Sequence, residues 1–183
     1  MKPLNSLLRA LSRLELIGAA CLLLLIVVSI LSQVVLRYGW NSPIRWVEEL
    51  STASMIWLTF LAASLIYKEG RHMRIWGPED HFSGAAGHVI KIGLNGLILA
   101  TSLYITQLAV PVVVVENRSV TTSLPIDLPK SWVFSVPVMV GFVSIAVSAV
   151  YFILEDFLAL FGKAPDLPSL SPIPPLAPHE EAL

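Results

Sequence analysis

Two adjacent glutamates, Glu48 and Glu49, follow Arg45 at separations of three and four residues, the distances at which side chains meet on one face of a helix. A guanidinium beside paired carboxylates makes a local ion pair. That pair satisfies one glutamate and leaves the second for a basic group on another helix, for another chain, or for a passing cation. A second set, His88, Lys91, Asn95, Ser102 and Thr106, recurs at steps of three, four, seven and four, which places it along one side of a helix. Two readings stay open for that stripe. His88 and Lys91 reach toward a headgroup layer while Asn95 bonds a neighbouring helix, or the stripe lines a solute path. Machinery for bond-making chemistry is missing from the chain. It has no G-x-S-x-G elbow, no H-E-x-x-H pair and no phosphate-cradling glycine loop ahead of a lysine, so it predicts no nucleophile, metal or nucleotide site and no cofactor.

The elements that must position these residues are four long apolar stretches, 14–36, 50–67, 89–110 and 132–154. Each approaches or exceeds the roughly 20 residues needed to cross about 30 Å of hydrocarbon. A hydrophobic fraction of 55 % and a charged fraction of 14 %, with mean hydropathy +0.75, lie well outside soluble domains, whose charged share is about 25 %. The first stretch has only Glu15 and Gln33 as strongly polar interruptions, too few for the polar face of a soluble helix. The expected fold is an all-α integral membrane protein with four transmembrane helices and short amphipathic interfacial helices. His72, His81 and His88 fall in or beside one loop and His179 near the end, so no two histidines face each other across the membrane to hold a haem. A net charge of −1 without a dense basic cluster excludes nucleic acid as a partner.

Residues 1–13 read as a cytoplasmic N-terminal segment, 14–155 as the membrane domain and 156–183 as a proline-rich disordered tail. The first apolar run is too long for a cleaved signal, and it follows Cys21 where a lipoprotein signal would precede it, so the first helix is retained. Lys2, Arg9, Arg13, Lys68, Arg71, Arg74, Lys91 and Lys163 fall on one side, against Arg37, Arg45, Arg118 and Lys130 on the other. Positive charge stays cytoplasmic, so both termini are expected inside. A helix is expected to start at Ser42-Pro43 and run into the second span, and another at Gly77-Pro78. Pro111 is expected to bend or end the third span, and 116–131 to form an irregular, confined outer loop. Gly84, Gly87, Gly93 and Gly96 narrow one side of the third span. Thr52, Thr59 and Ala63 make a small-residue face on the second, on which backbones can approach closely.

Arg45-Trp46-Val47-Glu48-Glu49-Leu50, then Trp57 through Ala63, then Lys68-Glu69-Gly70-Arg71-His72-Met73-Arg74-Ile75, resemble the signature of the small membrane subunit of TRAP transporters, the DctQ-like family. Arg37-Tyr38, Leu124-Pro125, Trp132 and Pro137 are also similar. Ala62 departs from the family's frequent glycine, and the tail after Lys163 matches no family feature. The resemblance implies a non-catalytic subunit of a sodium-coupled importer of an organic acid or similar small solute, set in the bacterial inner membrane. Its implied partners are membrane lipids, a large membrane subunit that holds the sodium ions, and a periplasmic substrate-binding protein. On that reading Arg45, Glu48, Glu49, Thr52, Trp57, Thr59, Ala63 and His72 contact the large subunit. Trp40, Asn41, Glu116, Arg118, Asp127 and Lys130 are offered to the binding protein. The rival from another class is a small self-assembling transporter or channel that uses Glu48, Glu49 and the polar face of the third span.

Overall fold

The structure, a computed structural model, describes residues 2–42, 44–70 and 85–161. Its elements are α1 (Lys2–Gly39), α2 (Trp46–Gly70), α3 (Ala85–Glu116), α4 (Lys130–Val133) and α5 (Ser135–Leu160). Four of these helices are long and apolar enough to cross a membrane, over Asn5–Gly39, Trp46–Glu69, Gly87–Glu116 and Ser135–Leu160. The protein is an all-α, four-span membrane protein. Backbone groups in hydrocarbon have no water to bond, and a helix satisfies them within itself. The four apolar runs therefore become four helices. The expected start at Gly77-Pro78 falls outside the described residues; of the disordered tail expected over 156–183, residues 156–160 instead complete α5, and 162 onward fall outside the described residues.

Several boundaries differ from expectation, each for a local reason. Residues 1–13 were expected to stand apart from the first span, but α1 is continuous from Lys2 for 38 residues. Its early turns are held by a buried face of Asn5, Leu8, Ser12, Glu15 and Ala19, spaced as one side of a helix. After Gly39 the chain reverses through Asn41 at φ 53°, a left-handed conformation that asparagine tolerates. The helix expected from Ser42-Pro43 begins only at Trp46, because the Ile44 N–H is drawn instead to Gln33 Oε1 of α1, 3.1 Å away. Pro111 does not end the third span; α3 runs through it to Glu116. Proline removes one helical donor near the C-terminal end of α3, a loss that membrane helices absorb through neighbouring groups. The span expected at 132–154 is divided. α4 is a single turn, and α5 starts beyond Phe134, whose N–H bonds Lys130 O at 3.1 Å.

α5 lies at the centre, packed against α3 and α2, and α2 packs in turn on α1. The contact faces are built from small residues, with Ser64, Ser144, Ser148, Ala146 and Ala149 all buried. Hydrocarbon offers no hydrophobic drive for helix association, so close van der Waals approach takes its place. Near one end, Leu8, Tyr151 and Phe152 form a compact cluster with Tyr67 against it. The Tyr67 and Phe152 rings meet edge to face at 5.7 Å, a favoured aromatic geometry. Gly93 and Gly96 of α3 do not serve this packing: an added Cβ at either meets nothing within 4 Å. Gly93→Ala and Gly96→Ala are therefore expected to leave the isolated chain folded, and to raise its thermal stability by up to about 0.5–1 kcal/mol each through reduced backbone freedom. Thermal unfolding in detergent measures this.

The connection between α3 and α4, residues 117–129, is held together by its own backbone bonds. Val120 and Pro129 form an antiparallel bridge, the Thr121 N–H bonds Leu128 O at 2.9 Å, and the Lys130 N–H bonds Ser119 O at 2.8 Å. The expectation of an irregular but confined loop holds, with the confinement made by these backbone bonds.

A candidate partner face and the polar ties behind it

Glu15 cannot sit among lipid tails unpaired, and α1 turns it inward onto α2. Lys68 Nζ donates to Glu15 Oε2 at 2.6 Å and to Ser144 Oγ at 2.9 Å. Ser144 donates to Glu15 Oε1 at 2.5 Å, and Ser64 Oγ lies 2.8 Å from Ser144 Oγ. The ion pair is shut away, with side-chain exposures of 0 % for Lys68 and 5 % for Glu15. Charges in hydrocarbon persist where they are paired and bonded like this. Both residues were visible in the sequence, yet their pairing was missed. In the sequence Glu15 stands as an interruption of an apolar run and Lys68 as one of several charges on one side of the membrane. The available signal was an acid in one span and a lysine at the end of the next.

Other polar side chains also tie helix to helix. The Asn5 amide donates to the Tyr151 hydroxyl at 2.8 Å, joining α1 to α5. The Tyr67 hydroxyl donates to Asn95 Oδ1 at 2.8 Å, joining α2 to α3 as one reading of the stripe expected. His88 Nδ1 lies 3.2 Å from Asp156 Oδ1, so His88 meets α5 where a headgroup contact was expected. Further along α3, Ser102 is buried and Thr106 donates to Ser102 O at 2.8 Å. Of the stripe, His88 and Asn95 meet other helices of the bundle and Ser102 is buried. Among the described residues no group of three or more His, Cys, Asp or Glu side chains could hold a metal ion.

At the end of the bundle where α2 begins, the expected pair of Arg45 with Glu48 or Glu49 does not form among the described residues. Glu49 instead receives three backbone N–H groups of the α3–α4 loop: Thr122 at 3.4 Å, Ser123 at 2.7 Å and Leu124 at 3.1 Å. A carboxylate suits this cradle because successive backbone N–H groups form a concave anion site. Glu116 is likewise occupied, accepting from the Ser135 hydroxyl, and Ser131 donates to Asn117 Oδ1 at 3.2 Å. Trp57, expected at a partner contact, donates its indole N–H to Trp132 O at 2.8 Å and so ties α2 to α4. Glu49→Gln turns an amide NH₂ toward backbone donors, and is expected to loosen Thr122–Leu124 by about 1–2 kcal/mol. Faster amide exchange at Ser123 and Leu124, with α5 unchanged, is the result to look for.

The remaining expected contact residues point outward. Arg45 and Glu48 are exposed. Thr52 and Thr59 are exposed, their hydroxyls bonded to Glu48 O at 2.9 Å and Met55 O at 2.8 Å of their own helix. With Met55, Ala63 and Ile66 they make one exposed face of α2. This face carries no unsatisfied hydroxyl and is free to meet lipid or another helix. Trp40 and Asn41 are exposed between α1 and α2, and Arg118 and Asp127 are exposed in the α3–α4 loop, with Lys130 half-buried at its end. His72 lies outside the described residues.

A family model for the DctQ component of tripartite ATP-independent periplasmic transporters matches residues 26–159. A Haemophilus influenzae protein, provisionally named a TRAP transporter small permease protein, is 46 % identical over 57 residues. That match covers 30 % of this chain and 35 % of the relative.

Proposed function

The chain belongs to the DctQ component family of tripartite ATP-independent periplasmic (TRAP) transporters, and on that premise we propose that it is the small, non-catalytic membrane subunit of a sodium-coupled importer. In this reading it braces a large permease subunit during uptake of an organic acid or similar small solute, which a periplasmic binding protein delivers. Sodium and solute are held by the large subunit. The protein sits in the bacterial inner membrane with both termini cytoplasmic, the orientation that its Lys and Arg distribution favours.

The observation that carries the proposal, beside the family match, is where the polar groups go. Glu15, Lys68, Asn95, His88 and Glu49 each bind another part of the same chain. A conducting path would need such groups directed at a passing ion; here they hold helices and one loop in place, as a brace requires. The outward surface is apolar over long stretches of α1 and α3, with Leu24, Leu31, Leu97 and Tyr104 more than half exposed. The face of α2 through Thr52, Met55, Thr59 and Ala63 is the proposed contact with the large subunit. Small residues there let backbones approach, and each polar contact in a membrane contributes about 0.6–2 kcal/mol. The outer loop that Glu49 holds, with Trp40, Asn41, Arg118, Asp127 and Lys130, is the proposed docking surface for the binding protein.

Reconstitution tests this. The chain alone in liposomes is expected to move no solute, and the chain with the large subunit and binding protein is expected to support uptake. Solute flux through the lone chain would overturn the accessory role and favour the self-assembling channel. Glu49→Gln is expected to weaken docking and assembly while leaving the apparent sodium affinity unchanged. A changed sodium affinity with unchanged assembly would instead assign Glu49 a direct ion role.

A further inference from the structure

The Glu15–Lys68 joint does more than avoid an unpaired charge. It is the place where three helices meet through side chains of fixed length: Glu15 from α1, Ser64 and Lys68 from α2, and Ser144 from α5. At this level α1 and α5 do not close on each other. An apolar groove of about 440 Å³ opens between them, lined by Leu11, Leu14, Val143 and Val147, with Glu15 and Ser144 in its wall. Aliphatic packing therefore leaves the spacing and register of α1 against α5 underdetermined there. Apolar side chains can slide past one another at little cost, whereas a carboxylate held by an ammonium and a hydroxyl has one geometry. Two well-packed apolar residues would serve stability as well or better than a buried ion pair, so what the pair adds is uniqueness of arrangement.

We propose that Glu15, Lys68 and Ser144 are positioning residues that set the register of α1 and α5 against α2, and through it the shape of the surface presented to the large subunit. The consequence for the partner rests on the accessory-subunit reading; the register role does not. The joint acts at a distance from the partner face: α2 carries Ser64 and Lys68 inward and Thr52, Thr59 and Ala63 outward. A shift of α1 or α5 on α2 thus alters what flanks that face without changing a residue of it.

The test uses the full chain with Cys21→Ser and spin labels at Leu7 and Val150, exposed positions on α1 and α5. The parent is expected to show one narrow inter-label distance. The apolar double variant Glu15→Leu/Lys68→Met is expected to insert and remain helical, but with that distance broadened or displaced by up to one helical turn, about 5 Å. Its recovery with the large subunit is expected to fall severalfold. Ser144→Ala, a milder change that removes only the tie from α5, is expected to broaden the same distance by itself, which keeps the test decisive if the double variant does not fold. A parental distance in Ser144→Ala, or in a folded double variant, would overturn the register role. Failure of the parent to bind a large subunit would overturn the accessory reading alone, because the label distance is measured within one chain.

Discussion

Lys68→Met is expected to remove a large share of the chain's folding stability. Lysine and methionine have similar length, so the substitution leaves little void. What it leaves is the Glu15 carboxylate, 5 % exposed and stripped of the ammonium 2.6 Å away. Removing one member of a buried pair costs about 3–5 kcal/mol because the survivor stays buried and uncompensated. Against a total stability of about 5–15 kcal/mol, the loss is expected to show as a collapsed monodisperse peak in detergent and a lower unfolding temperature. The partner hydroxyls do not make up the difference. Ser144 already spends its hydrogen on Glu15 Oε1, and Ser64 already lies within bonding distance of that same oxygen, at 3.1 Å. Glu15→Gln strands the Lys68 ammonium, 0 % exposed, without a counter-charge, but it keeps an amide oxygen to accept from it and is expected to be the milder of the two. The ordering Lys68→Met worse than Glu15→Gln, with Glu15→Leu/Lys68→Met better than Lys68→Met, separates an uncompensated charge from lost packing. Equal loss in all three would assign the effect to packing.

The same pair shows what a sequence does and does not disclose. Spans were legible because crossing hydrocarbon imposes a length and an apolar composition on each one, and both are local properties. Helix ends were less so, because the groups that decide them come from elsewhere. Gln33 intercepts the Ile44 N–H, and α3 runs on through Pro111. Partners of charged side chains were the least legible. Spacing on one helix matches Arg45 to Glu48 or Glu49 without choosing, yet Glu49 reaches loop residues 73 to 75 positions away. Lys68 was counted as an interfacial cation, yet it is buried against an acid 53 positions earlier. An acid inside a span announces only that some donor must face it; which donor depends on the order in which the helices pack. The outward residues are the complement of this. Arg45 and Glu48 belong to the signature and Thr52 and Ala63 to the small-residue face, and they are the ones the fold leaves on the surface. Glu49 and Trp57, from the same signature, are turned to internal ties.

Gly141→Leu is expected to have the other large effect, through backbone contact. α5 crosses α2 at this residue so closely that a Cβ would lie 2.9 Å from Phe60 Cβ and 3.1 Å from Phe60 O. Those atoms belong to the α2 backbone and its first side-chain carbon and cannot rotate away, so the helices must separate. Overpacking of this kind costs about 1–3 kcal/mol. Gly141→Ala sets a smaller displacement against a gain of about 0.5–1 kcal/mol from reduced backbone freedom, and is expected to be the better tolerated of the two. Phe60→Ala is not expected to rescue Gly141→Leu, since alanine keeps both offending atoms and also removes the ring that faces Phe142 at 6.1 Å. Phe60→Gly removes the nearer atom and is expected to recover part of the loss. A double-mutant cycle in thermal unfolding reads this directly: coupling between Gly141→Leu and Phe60→Gly, and none with Phe60→Ala. The displacement does not stop at the crossing. Ser144 lies three residues further along α5, close to one helical turn, so pushing Gly141 off Phe60 draws its hydroxyl away from Glu15 and Lys68. The close approach at Gly141 is what lets the polar joint form, and a substitution there loosens both.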